Sequence, residues 1–106
     1  IQTDERKVAI LGDMFELGAD ERKMHYEVGE YAAKKGIDCI ICAGELAKEY
    51  YDGAKAAGKK ENLYYFPSRD EAIENLKDIV KVNDAILVKA SHGMKFEKIV
   101  EVLKQM

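Results

Sequence analysis

A chain of 106 residues is shorter than the roughly 150 of a typical domain, so it has room for one compact domain and excludes a two-domain enzyme. Apolar residues make up 47% and charged ones 35%, a globular composition that excludes disorder. Seventeen basic against 20 acidic side chains leave a net charge of −3, and with no stretch concentrating Lys and Arg, a nucleic-acid partner is not expected.

The chain opens at Ile1 rather than Met, with no basic segment leading into an apolar one. This suggests a piece of something longer and shows no secretory leader. Lys7 to Leu11 (KVAIL) reads as a first strand ended by Gly12-Asp13. Asp20 is the expected N-cap of a first helix, whose apolar positions Met24, Val28, Tyr31 and Ala32 recur at steps of three and four before Gly36 stops it. Ile37 to Ala43 (IDCIICA) forms the second strand. It holds the longest apolar run, Cys39 to Ala43, which is of strand length and far below the ~18 residues of a membrane span. Leu46, Tyr50, Ala54 and Ala57 share one face of a second helix closed by Gly58, and Asn62 to Phe66 is a short third strand. Ser68 with Glu71 is a capping box that opens a third helix lined by Ala72, Ile73, Leu76, Ile79 and Val80. Asn83-Asp84 then turns the chain into a fourth strand, Ala85 to Lys89 (AILVK), and Phe96, Ile99, Val100 and Leu103 mark a last helix.

Strands alternating with helices predict an α/β fold: a Rossmann-like open, mainly parallel sheet with helices on both faces, in one domain spanning residues 1–106. The expected strand order is 3-2-1-4, with every strand's C-terminal end on one edge. Ligands of such sheets sit at that edge, where the order reverses, so the site candidates are the loops Gly12-Asp13 and Ser91-His92-Gly93.

The second of these loops lies between Lys89 and the start of the last helix. Free amides at a helix start favour an anion, Ser91 adds a hydroxyl, and Lys89 and Lys95 add charge; equally, Ser91 is an N-cap and Gly93 a turn. Asp13 at a strand tip can accept ribose hydroxyls or cap a turn. The chain has neither a Gly-x-Gly-x-x-Gly fingerprint nor a Gly-x-x-x-x-Gly-Lys-Ser/Thr phosphate loop. Cys39 and Cys42 match C-x-x-C, but a spacing of three in a strand points them to opposite faces, so they are read as structural, and two cysteines suit a reducing cytoplasm. His25 reads as a packing histidine with no metal cluster around it. Tyr64, Tyr65 and Phe66 read as a buried edge strand rather than a stacking platform, and Glu27, Glu30, Glu71, Glu74 and Asp78 as solvent-facing.

Three of these segments together resemble one family, the Mur ligases of peptidoglycan synthesis, in the branch that adds D-Ala-D-Ala. Leu11-Gly12-Asp13-Met14-Phe15-Glu16-Leu17-Gly18 resembles L-G-D-M-x-E-L-G, and His25-Tyr26-Glu27-Val28-Gly29 is similar to H-x-x-V-G. Leu87 to Glu97 (LVKASHGMKFE) resembles L-V-K-G-S-R-G-M-K-M-E, with Ala90, His92 and Phe96 as departures. The resemblance runs from about Arg6 to Leu103. It implies the C-terminal part of a three-domain, ATP-dependent amide-bond ligase, inactive alone, whose central domain holds most of the ATP and Mg. It implies substrate contacts from Lys89, Ser91, His92 and Gly93 to D-Ala-D-Ala and the reacting phosphate, and nucleotide contacts from Gly12 and Asp13 to the ribose, with no residue of this chain catalytic. UDP-N-acetylmuramoyl-tripeptide, D-Ala-D-Ala and ATP are the implied partners, and a cytoplasmic monomer is expected. The alternative is a free-standing flavodoxin-like binding or receiver-type signalling module. A receiver carries a phosphoacceptor Asp where this chain has Phe66-Pro67.

Overall fold

The structure, a computed structural model, describes residues 6–14, 18–80, 85–90, 99, 101 and 104. In chain order it comprises β1 (Lys7–Gly12), a 3-10 turn (Gly18–Asp20), α1 (Glu21–Lys34), β2 (Cys39–Ala43), α2 (Ala47–Ala56), β3 (Leu63–Phe66), α3 (Arg69–Ile79) and β4 (Ala85–Lys89). The four strands form one parallel sheet in the order β3-β2-β1-β4, as the alternating pattern predicts. Gly12 pairs with Ala43, and Leu11 with Lys89, so the chain leaves β1, β2 and β4 along one edge.

β1 and β2 are buried on both faces, which is why they read as continuous apolar runs rather than as alternation. Val8, Ile10, Cys39, Ile41 and Ala43 pack on one face against Ala72, Leu76 and Ile79 of α3 and against Ile99. Ala9, Leu11, Ile40 and Cys42 pack on the other against Ala47, Tyr50 and Ala54 of α2. Cys39 and Cys42 therefore lie in different cores, with no disulfide between them. Ser68 caps α3, its Oγ accepting the Glu71 amide at 3.2 Å. Ile99 is helical and fully buried, whereas Phe96, Val100 and Leu103 lie outside the described residues. Among the described residues no helix is long and apolar enough to cross a membrane.

Three local expectations are corrected. β2 begins at Cys39, because the carbonyls of Ile37 and Asp38 accept the Lys59 ammonium, at 3.1 and 2.8 Å, and the Asp38 carboxylate accepts the Lys7 amide. Asp20 stands at the N-cap of α1, but its side chain makes no capping bond. The buried face of α1 is turned from the apolar stripe: Met24 and Tyr31 are 43% and 54% exposed, while His25 and Gly29 are buried. The cause is a close helix crossing. A Cβ on Gly29 would lie 2.0 Å from the Tyr50 carbonyl oxygen, and one on Gly53 2.1 Å from that of Tyr26, so α1 and α2 meet backbone to backbone. Apolar periodicity does not register glycine as a contact face.

Candidate functional site at the strand tips

β1 ends in a turn, Gly12-Asp13-Met14, that both α1 and α2 grip. The Tyr50 hydroxyl donates to the Gly12 carbonyl at 2.9 Å, the Ala47 amide donates to Asp13 Oδ1 at 2.7 Å, and the Met14 amide donates to His25 Nε2 at 3.0 Å. His25 Nδ1 meets the Glu21 carbonyl at 2.5 Å and its ring lies against Tyr50, centroids 4.8 Å apart. A carbonyl only accepts, so Nδ1 carries the proton and Nε2 is free to accept from Met14. His25 is 1% exposed, and the default reading of it as a packing residue holds, with two hydrogen bonds added.

Asp13 caps α2; the turn after it, which the same carboxylate was also expected to cap, falls on residues 15–17, outside the described residues. The N-cap position of α2 is Leu46, which has no side-chain acceptor, so the carboxylate from β1 satisfies a free amide at that helix start. Gly44 makes room for it: its φ is +127°, and a Cβ there would come within 2.5 Å of Asp13 Oδ1. Burial first, and then the nearby Asp13 carboxylate, push the Tyr50 phenol well above its ordinary range, which keeps it a donor to Gly12. Burial likewise pushes up the Cys42 thiol, reinforced by Asp52 and Cys39.

Among the described residues, two clefts open at this edge. One, of about 470 Å³, lies on the β1–β4 side and is lined by Met14, Met24, His25, Glu27, Val28, Tyr31, Tyr50 and Lys89. The other, of about 300 Å³, crosses the tips of β2 and β3 and is lined by Asp13, Gly44, Glu45 and residues Pro67 to Asp70. Of the predicted site residues, the structure brings Lys89 beside Leu11 and into one cleft with Met14. It turns the Asp13 carboxylate the other way, toward β2. Ser91, His92 and Gly93 lie outside the described residues. Sequence reasoning missed Gly44 and the hydroxyl of Tyr50; a glycine directly after a buried strand is the only signal for the first, and Tyr50 read simply as an apolar helix position.

β3 is an edge strand, as predicted, but half-buried rather than buried, and Lys48 sits over Tyr65 at 5.6 Å. It ends in Phe66-Pro67, so the acidic tip that a receiver requires is replaced by an apolar one. Among the described residues no three His, Cys, Asp or Glu side chains converge as a metal site would need.

The family model described as Mur ligase, glutamate ligase domain, matches residues 1–92. A UDP-N-acetylmuramoyl-tripeptide–D-alanyl-D-alanine ligase of Bacillus subtilis is 34% identical over 98 residues, covering 92% of this chain and 21% of the relative. Ligases of the same description from Rickettsia prowazekii and Escherichia coli are 30% and 33% identical, again over 21% of their length. The chain thus spans about one fifth of the length of these curated relatives. Among solved structures, MurF from Acinetobacter baumannii superposes with a TM-score of 0.81 at 24% identity, over 99% of this chain and 23% of that one. MurF ligase from Thermotoga maritima in complex with ADP gives 0.71 at 23% identity, over 95% and 22%. At these identities the structural matches carry the fold.

Proposed function

The chain belongs to the Mur ligase family, as its glutamate ligase domain, and from that premise we propose that it serves as the C-terminal domain of an ATP-dependent ligase joining D-Ala-D-Ala to UDP-N-acetylmuramoyl-tripeptide in the cytoplasm. The observation that carries this reading is the family match over residues 1–92, which takes in the Gly12-Asp13 tip of β1 and Lys89 beside it on the same sheet edge.

In the proposed reaction ATP phosphorylates the tripeptide carboxylate, releasing ADP. The dipeptide amine then attacks the acyl phosphate, forming the amide bond and releasing phosphate. This chain's share is positioning and exclusion of water, not acid–base chemistry. Gly12 and Asp13 face the nucleotide: with Oδ1 committed to Ala47, the second carboxylate oxygen is assigned to the ribose across the Asp13 cleft. Lys89, with Ser91, His92 and Gly93 following it, is assigned to the dipeptide and the reacting phosphate, where an exposed ammonium suits an anion. ATP and magnesium are assigned mainly to the central domain of the ligase, as the family resemblance implies. The enzyme is proposed to work as a monomer.

The test compares the full-length enzyme with the 106-residue chain. The full-length protein is expected to release phosphate from ATP only with both UDP-N-acetylmuramoyl-tripeptide and D-Ala-D-Ala present. The chain alone is expected to hydrolyse no ATP and to show weak or undetectable D-Ala-D-Ala binding by calorimetry. Tight binding of either ligand by the isolated chain overturns this division of labour.

A further inference from the structure

We propose that His25 is a positioning residue that holds the Gly12–Met14 turn in its substrate-facing shape. The inference rests on the ligase reading above for what the turn faces, and on the geometry alone for the grip.

The imidazole is used at both ends. Nδ1 donates to the Glu21 carbonyl one helical turn back, which fixes the ring relative to α1 and leaves Nε2 without a proton. Nε2 then accepts the Met14 amide, a backbone group past the end of β1 that no strand or helix pairs. The Tyr50 ring backs the imidazole while its hydroxyl holds Gly12, and α2 holds Asp13 through Ala47. Three consecutive residues are thus pinned by three partners, and among the described residues it is His25 that joins the turn to α1. A core residue needed only for volume would not require both ring nitrogens to be engaged in a fixed tautomer.

Three substitutions separate the parts of this role. His25→Gln retains an acceptor that reaches Met14. His25→Asn retains a donor for Glu21 but is too short for Met14. His25→Phe keeps the ring against Tyr50 and loses both bonds. In the full-length ligase, Asn and Phe are expected to raise the ATP KM about tenfold, the equivalent of one net hydrogen bond, with kcat and the UDP-peptide KM little changed. Gln is expected to restore most of the loss. Independently of activity, the full-length enzyme labelled with ¹⁵N-histidine should show a His25 ring protonated at Nδ1 and bare at Nε2, assigned by its disappearance in His25→Gln.

A ring protonated at Nε2, or a Gln variant as impaired as Phe, overturns the proposal. Impairment that follows only the loss of melting temperature across all three variants overturns it too. If the tautomer and the Gln rescue hold but the D-Ala-D-Ala KM moves instead of the ATP KM, His25 stands as the positioning residue and the nucleotide assignment of Asp13 falls.

Discussion

Asp13 has two separable duties, the observed cap on α2 and the proposed ribose contact, and substitution tells them apart. Asp13→Ala removes the acceptor of the Ala47 amide and should cost about 0.5–2 kcal/mol in urea unfolding. Asp13→Asn keeps a carbonyl acceptor and should retain most of that stability while still weakening ATP binding in the full-length ligase. Tyr50 has a pH signature. Its phenol and the Cys42 thiol are both held above their ordinary values of 10.0 and 9.0 by burial first. The unfolded chain therefore loses these protons before the folded one does. Their contribution is fully present below those values and declines as pH rises past them, so urea midpoints should fall above pH ~9. Tyr50→Phe should flatten the part of that fall above pH ~10 and cost about 0.5–1.5 kcal/mol at neutral pH through the lost bond to Gly12. At His92, where the family pattern has arginine, an imidazole replaces a permanently charged fork. The full-length enzyme's activity is expected to follow His92 protonation, and a His92→Arg variant with the parent's pH profile would dismiss that expectation.

Among the elements, the crossing of α1 and α2 decides most. Glycine to alanine inside a helix usually stabilises by about 0.5–1 kcal/mol. At Gly29 and Gly53 the sign should reverse, because the added methyl meets Tyr50 and Tyr26 backbone rather than solvent. Each change should cost about 1–3 kcal/mol in chemical denaturation, and by spreading the helices it should also loosen the His25–Tyr50 contact. β1, β2 and α3 were legible in the sequence because continuous apolar runs and a Ser68–Glu71 box each have a local cause. The face of α1 was not: Met24 and Tyr31 have the right spacing, but the surface α1 buries is defined by what α2 lacks at Gly53. C-x-x-C at Cys39 and Cys42 was legible as structural from strand geometry alone. Both thiols should resist a thiol reagent until the protein unfolds and then titrate as two free groups.

For the molecule as a whole, the strand order β3-β2-β1-β4 is the one expected for four strands alternating with helices, and the register that sets Leu11 beside Lys89 comes from the tertiary structure. The amino-acid sequence by itself determined the α/β class, the common edge of the strand ends at which the site is proposed, and, through Leu11 to Gly18, His25 to Gly29 and Leu87 to Glu97, the resemblance that the family match then established. These are local or periodic properties, written in neighbouring residues. Only the tertiary structure decided that the Asp13 carboxylate turns toward β2 to cap α2, and that Gly44 clears the space for it. It alone set Tyr50 and His25 on either side of one turn. Each of these contacts joins residues far apart in the chain, and a hydrogen-bond partner or a steric gap supplied from a distance leaves no periodic trace at either end.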